Sequence, residues 1–276
     1  MKKAICQQPP LPMLAPGEVH IWLASLEQLP GSMQQFLSTL SPDEQERAAR
    51  FSFEKDRRRF IAARGILRAL LGQYLHMPAE TLRFIYNAHR KPALSSEMRH
   101  GLCFNLSHSH ELALYAFAYE REMGVDIEYM RPLARDEQSL LAKRCFSQSE
   151  YAAFCALPVS LQRKAFFNGW TRKEAYIKAR GKGLSIPLNS FDVSLVPGEP
   201  AALLASRESP HTVTDWTLCA LPVPADYTAA LMIQGREWHG CYWWWGETEA
   251  PLQANQKRGT EVSPAVAECS SVFPLF

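Results

Sequence analysis

The sequence predicts an α+β protein in which each half carries a long helix and a group of short strands. Three observations point there. Apolar residues at helical spacing run from about 55 to 75 and again from about 161 to 180. The segment 102–119 reads as two strands joined by a polar turn at 107–111. A second round of strands follows, at 124–128, 190–196, 213–221 and 227–234. No fixed-period repeat accompanies this doubling.

The elements follow in order. Residues 1–17 are proline-rich and expected to be extended, and Val19-His20-Ile21-Trp22-Leu23 reads as a strand. Ser41-Pro42-Asp43-Glu44 starts a helix, with Ser41 as cap, Pro42 in the first position and acids in the first turn. In the 55–75 helix Ile61, Ile66, Leu67, Leu70, Leu71 and Tyr74 share a face, with Arg57, Arg58, Arg59, Arg64 and Arg68 pointing elsewhere. Helical patterns follow at 134–145 and 147–156, where Ser147 and Glu150 have capping-box spacing. The 161–180 helix stops at Gly181-Lys182-Gly183. Beyond Trp243-Trp244-Trp245 the chain turns polar and small, and 248–271 reads as flexible.

Composition narrows the function classes. The 276 residues suffice for one large domain or two modest ones, with 47% hydrophobic and 21% charged residues. A formal net charge of only +2 gives no global field for nucleic acid. Pro9, Pro10 and Pro12 break any signal-peptide core, and no apolar stretch approaches a membrane span. Seven irregularly spaced cysteines then suggest reduced thiols in a cytoplasmic protein without a membrane partner.

Several clusters can carry chemistry. On a strand, Asp126 and Glu128 share a face about 6–7 Å apart, and hard oxygens so placed suit a magnesium ion that bridges phosphates. Taken alone, the pair reads better as an exposed Asp and Glu on an edge strand. Trp170, Glu174 and Lys178 stack at i, i+4 spacing on one helix face. That face is either a surface ion pair beside a core tryptophan or a third metal carboxylate with a phosphate-binding lysine. Asn105-Leu106-Ser107-His108-Ser109 follows an apolar strand without a nucleophile elbow. It offers donors for an anion, or a turn that satisfies its own backbone. The arginines from Arg47 to Arg68 suit phosphate, or form a solvated basic face, and Lys91-Pro92 reads as a turn with one more cation.

In this order the blocks resemble the Sfp-type (surfactin-synthetase-type) 4'-phosphopantetheinyl transferases over about 41–195, with the 213–234 strands fitting that family's closing sheet. Gly124-Val125-Asp126-Ile127-Glu128 and Trp170 to Lys178 match its central signature. Phe104 to Ser109, Phe60-x-x-x-Arg64-x-x-Leu67-Arg68, Phe146-Ser147-x-x-Glu150 and Gly181 to Ser185 match its other blocks. Two positions depart. His89-Arg90 stands before Lys91-Pro92 where the family usually has glycine. Glu44 stands where some relatives place a basic phosphate contact, which moves that role to Arg47 and Arg64.

The resemblance implies a fold of two similar α/β halves related by a pseudo-twofold axis, with coenzyme A in the cleft between them. It sets an N-terminal half at 1–120, a C-terminal half at 121–247 and a tail at 248–276. It implies a monomer that transfers phosphopantetheine from coenzyme A to a serine of an apo acyl or peptidyl carrier protein. Asp126, Glu128 and Glu174 are implied ligands of magnesium, with manganese as a substitute. Lys91, Ser107, His108 and Lys178 are implied contacts to coenzyme A phosphates, and Arg64 with Arg47 the grip on its 3′-phosphate. Asp126, Glu174 and Lys178 are the implied catalytic set, and Glu174 or a metal-bound water the proton acceptor. Glu150 either supports the site from behind or only completes its capping box. The rival readings are a magnesium-dependent phosphohydrolase, a silent module that binds coenzyme A or a carrier protein, and, weakest, nucleic-acid binding by the 57–68 helix.

Overall fold

The computed structural model describes residues 13–29, 31–208 and 212–246. They form two compact units. The first runs to Arg121 and resumes at Glu237, and the second spans Glu122–Arg236.

The first unit opens with strand β1 (Glu18–Ser25) and continues through helices α1 (Met33–Thr39), α2 (Pro42–Ala49) and α3 (Glu54–Tyr74). A small hairpin, β2 (Phe84–Tyr86) and β3 (Pro92–Leu94), and a one-turn helix α4 (Ser96–Arg99) lead to strands β4 (Leu102–Ser109) and β5 (Leu112–Tyr119). Leu102 pairs with Tyr119 and Ser109 with Leu112, so the hairpin turns at His110-Glu111. Trp22, Phe36, Ile66, Tyr115 and Phe117 lie in one buried core that joins helices to sheet.

In the second unit, β6 (Met123–Tyr129) is followed by α5 (Arg135–Cys145), α6 (Gln148–Ala156) and α7 (Val159–Arg180). Gly181 ends α7 in the left-handed region at φ 64°, as the Gly-Lys-Gly signal predicts. Then come β7 (Phe191–Val193), β8 (Leu203–Ser206), the single turn α8 (Thr212–Asp215), β9 (Trp216–Ala220) and β10 (Tyr227–Gln234). The sheet order is β6-β10-β9, all antiparallel.

The chain then returns. Strand β11 (His239–Trp244) lies parallel to β1 and completes a sheet ordered β11-β1-β5-β4 in the first unit. The sequence reading assigned everything up to 247 to the C-terminal half, and β11 corrects that. Its register is set by β1, at the far end of the chain, and local patterning carries no trace of a partner so distant. The tail expected at 248–276 lies outside the described residues.

A second correction concerns α3. Arg64 and Arg68 do leave its apolar face, yet both are buried, at 7% and 0% exposure. The side chain of Glu44 on α2 explains it. Arg64 Nε donates to Glu44 Oε1 at 2.7 Å and Arg68 Nε to Oε2 at 2.6 Å. Both guanidinium groups also lie 4.9 Å from the Phe84 ring centroid. A carboxylate between two arginines offsets the cost of burying them.

The second unit repeats the device. Glu150, third residue of α6, accepts from the Ser147 amide at 2.7 Å and from Val193 N at 2.7 Å. It also pairs at 2.8 Å with Lys173 of α7, which is fully buried and donates to the carbonyls of Leu188 and Phe191. Glu150 therefore completes its capping box and anchors α7 to the α6 N-terminus and β7.

Candidate active site

The strand β6 presents Gly124, Asp126 and Glu128 on one face and Val125 and Ile127, both fully buried, on the other. Gly124 fixes which face meets α7. A Cβ there would sit 2.2 Å from Ala179 N and 2.3 Å from Ala175 O. The strand and helix backbones touch at this point, so the next residues on that face reach the same side of α7.

Asp126, 3% exposed, receives the Lys178 Nζ at 2.6 Å. One turn of helix earlier, Glu174 is partly buried and its carboxyl is pushed above the usual range. Burial is the main cause, followed by the negative charge of Asp126, with Lys178 opposing and Glu128 adding. A turn earlier again, the Trp170 indole Nε1 donates to Glu128 Oε1 at 3.3 Å. Trp170, Glu174 and Lys178 thus line the α7 face opposite Asp126 and Glu128. These five sequence-predicted residues meet in one polar seam within the second unit.

Two of its contacts were not predicted. Lys178 was read as a phosphate cation, and here it pairs with Asp126. Trp170 was read as a core anchor, and it stacks on Phe166 while also donating to Glu128. The shared i, i+4 phase with Glu174 was the available signal for both. Lys173, beside Glu174 in sequence, faces Glu150 on another side of the helix.

The donor set fits a hard divalent cation. Asp126, Glu128 and Glu174 offer only carboxylate oxygens, the hard donors such a cation takes.

The first unit carries the other predicted residues. Ser107 is buried and His108 exposed, on successive positions of β4, with Asn105 buried two residues before. Lys91 ends the β2–β3 turn, where its amide and that of His89 donate to Asn87 Oδ1, each at 2.9 Å. Arg90 in that turn has φ 63°. A non-glycine residue therefore holds the left-handed conformation where the family usually has glycine, at about 1 kcal/mol of strain. Arg47 is exposed at the end of α2, 5.2 Å from the Phe60 ring centroid. Arg64 is committed to Glu44 through Nε and to the Tyr86 hydroxyl through Nη2 at 2.8 Å. Glu44 holds the cations in place, which accounts for an acid at a position read as a basic phosphate contact.

Comparison with known proteins agrees with this division. Residues 22–119 match the model for the N-terminal part of 4'-phosphopantetheinyl transferases, and 122–232 match the 4'-phosphopantetheinyl transferase superfamily. The transferase HetI of Nostoc sp. is 41% identical over 237 residues, covering 86% of this chain and 96% of HetI. This chain belongs to that superfamily. It falls in the Sfp/HetI-like branch: the transferase Sfp of Bacillus subtilis is 32% identical over 178 residues, covering 64% of this chain and 76% of Sfp. A putative 4'-phosphopantetheinyl transferase of Synechocystis sp. is 33% identical over 209 residues, covering 75% of this chain and 81% of its own length. The transferase is an enzyme that moves phosphopantetheine onto carrier proteins, with the two-part α+β fold of its family. Among the described residues no helix is long and apolar enough to cross a membrane.

Proposed function

We propose that the transferase takes phosphopantetheine from coenzyme A, with magnesium held by Asp126, Glu128 and Glu174, and places it on the serine of an apo acyl or peptidyl carrier protein. The single observation that carries this reading is the seam itself, with Asp126 and Glu128 set against Glu174 of α7, whose carboxyl is pushed upward by burial first and by its acidic neighbours second.

When bound, the metal supplies charge neutralisation for the pyrophosphate and for the leaving nucleotide. The remaining work falls to side chains of this chain. The serine hydroxyl forms its bond to the β-phosphorus as the bond to the bridging oxygen breaks, and 3′,5′-ADP leaves. We assign the serine proton to Glu174, the carboxylate that α7 brings to the seam beside Asp126 and Glu128. Lys178 lies one turn from Glu174, so its ammonium serves the phosphate oxygens as well as Asp126. Lys91, Ser107 and His108 are assigned to phosphate oxygens of coenzyme A. Arg47 is assigned to the 3′-phosphate together with Nη1 of Arg64, the edge of that guanidinium that neither Glu44 nor Tyr86 takes.

The test incubates the purified protein with coenzyme A, magnesium and a panel of apo carrier proteins. One phosphopantetheine mass should appear on the carrier serine, and Asp126→Ala should abolish most of that turnover while the protein stays folded. Release of inorganic phosphate with no change in carrier mass would establish the phosphohydrolase instead. Near-normal turnover by Asp126→Ala would refute the metal assignment.

A further inference from the structure

A different set of ligand atoms lies in the first unit, where β1 and β11 run side by side. The parallel register places Glu18 opposite His239, His20 opposite Cys241 and Trp22 opposite Trp243. Every second residue points to the same side, so these six side chains form a two-column ladder on one face. At its open end a carboxylate oxygen of Glu18, a ring nitrogen of His239 and the Cys241 Sγ lie within 4.8 Å of one another.

We propose that Glu18, His239 and Cys241 form a transition-metal site, fitted best to Zn2+. The three donors are one oxygen, one imidazole nitrogen and one sulfur, the mixture that zinc and its neighbours accept and that magnesium does not. The geometry agrees. His239 Nε2 lies 3.2 Å from Glu18 Oε1. Two ligands each about 2.0–2.1 Å from a tetrahedral zinc are separated by roughly 3.3 Å. That pair needs almost no movement to become two corners of a coordination tetrahedron, with Cys241 as the third ligand and water as the fourth.

The support behind the ligands is already built. Glu18 Oε2 takes the Ala15 amide at 2.9 Å and His20 Nε2 at 3.2 Å, which aims Oε1 at His239. His20 is 1% exposed, and its Nδ1 lies 2.7 Å from the Tyr74 hydroxyl. That hydroxyl in turn accepts from Trp22 Nε1 at 3.0 Å. A ligating carboxylate fixed by a buried chain of this kind is the usual mark of an oriented metal ligand. The His239 side chain is 65% exposed, giving the ion its way in. Binding releases the Cys241 thiol proton and leaves His239 neutral with its proton on Nδ1. The consequence is structural: the ion ties the returning strand β11 to β1 and so closes the first unit.

Cobalt is the probe, added to the full-length reduced protein freed of metal. One sulfur-ligated Co2+ should bind per chain, read by a sulfur-to-cobalt charge-transfer band with tetrahedral visible bands, and Zn2+ should displace it. Cys241→Ser should remove the charge-transfer band. His239→Ala should weaken cobalt at least about tenfold, with circular dichroism confirming the fold of both variants. Asp126→Asn should leave the band unaltered, because carboxylates alone cannot produce it. Absence of the band in the parent protein at saturating cobalt, or its survival in Cys241→Ser, would reduce the cluster to a Glu18–His239 hydrogen bond and overturn the proposal. Loss of the band in Asp126→Asn would do the same.

Discussion

Each unit packs a long helix against a sheet, mixed in the first and antiparallel in the second, and they differ in what lies between the layers. In the first unit aromatic side chains fill the gap: Tyr115 of β5 reaches up to donate to the Ala63 carbonyl at 2.9 Å, and Phe117 packs against Tyr74 with centroids 4.8 Å apart. In the second, Gly124 removes the spacer and lets α7 rest on β6. The aromatic interlayer excludes water and carries no charge. The glycine contact draws strand and helix close, and on flanking positions Lys178 and Trp170 of the helix reach Asp126 and Glu128 of the strand directly. The layer between helix and sheet is therefore aromatic in the first unit and a polar seam in the second.

The capping-box glutamates sharpen the comparison, because both units use one to pin a buried cation on the long helix. Glu44 serves two arginines, whereas Glu150 serves one lysine. Arginine stays charged under all ordinary conditions, but lysine can shed its proton, and burial already lowers the Lys173 pKa against the pull of Glu150. Glu44→Ala should therefore cost about 3–5 kcal/mol and Glu150→Ala distinctly less, about 2–3 kcal/mol. Urea unfolding at neutral pH gives both values. Equal losses would mean that the lysine is held as rigidly charged as the arginines.

The next largest effect concerns the interlayer. Gly124→Ala sets a methyl group against helix backbone, which cannot rotate away as a side chain can. The expected loss is about 2–3 kcal/mol, with transferase activity falling further than stability because α7 moves relative to Asp126 and Glu128. Retained stability and activity would show that the close approach is incidental to the seam.

A smaller effect has the opposite sign. Glu174 has its pKa raised above the ordinary 4.5, so ionising it costs more in the folded than in the unfolded chain. Its contribution is favourable below about pH 4.5 and is lost as pH rises through the folded value. Glu174→Gln should therefore be more stable than the parent by up to about 1 kcal/mol at pH 7.5, and no more stable near pH 4.5. Paired denaturation curves at the two pH values decide it. An advantage that persisted at low pH would come from packing and not from charge.

What the sequence made visible follows the range of each interaction. The long helices, the caps at Ser41 and Ser147, and the alternation that places Asp126 with Glu128 are decided within a few residues, and all stand in the structure. The stacking of Trp170, Glu174 and Lys178 is likewise a matter of helix phase. What stayed hidden depends on distant partners. The burial of Arg64 and Arg68 is set by Glu44, 20 and 24 residues earlier. The place of β11 is set by β1, and the Lys178–Asp126 pair spans 52 residues. The left-handed Arg90 had no local sign, because its turn is fixed by the β2–β3 pairing and by the Asn87 side chain.

The smallest expected difference tests whether the two caps are equivalent, as their spacing suggests. Ser147 Oγ accepts from the Glu150 amide at 3.3 Å while its own amide donates to the Glu150 carboxylate, so the reciprocal pair is complete. Ser41 has the same amide bond, its N–H donating to Glu44 Oε2 at 3.1 Å, but its Oγ shares its one proton between Asp43 at 2.6 Å and Glu44 at 3.0 Å. Ser147→Ala removes an acceptor from a helix N-terminus and should cost about 1 kcal/mol. Ser41→Ala removes a donor from an exposed aspartate and from a glutamate that both arginines already hold, and should cost about half as much or less. Thermal unfolding of the two variants resolves the difference. A larger loss from Ser41→Ala would mean that its hydroxyl is needed to aim Glu44 at Arg64 and Arg68, which would make the first cap part of the buried ion cluster.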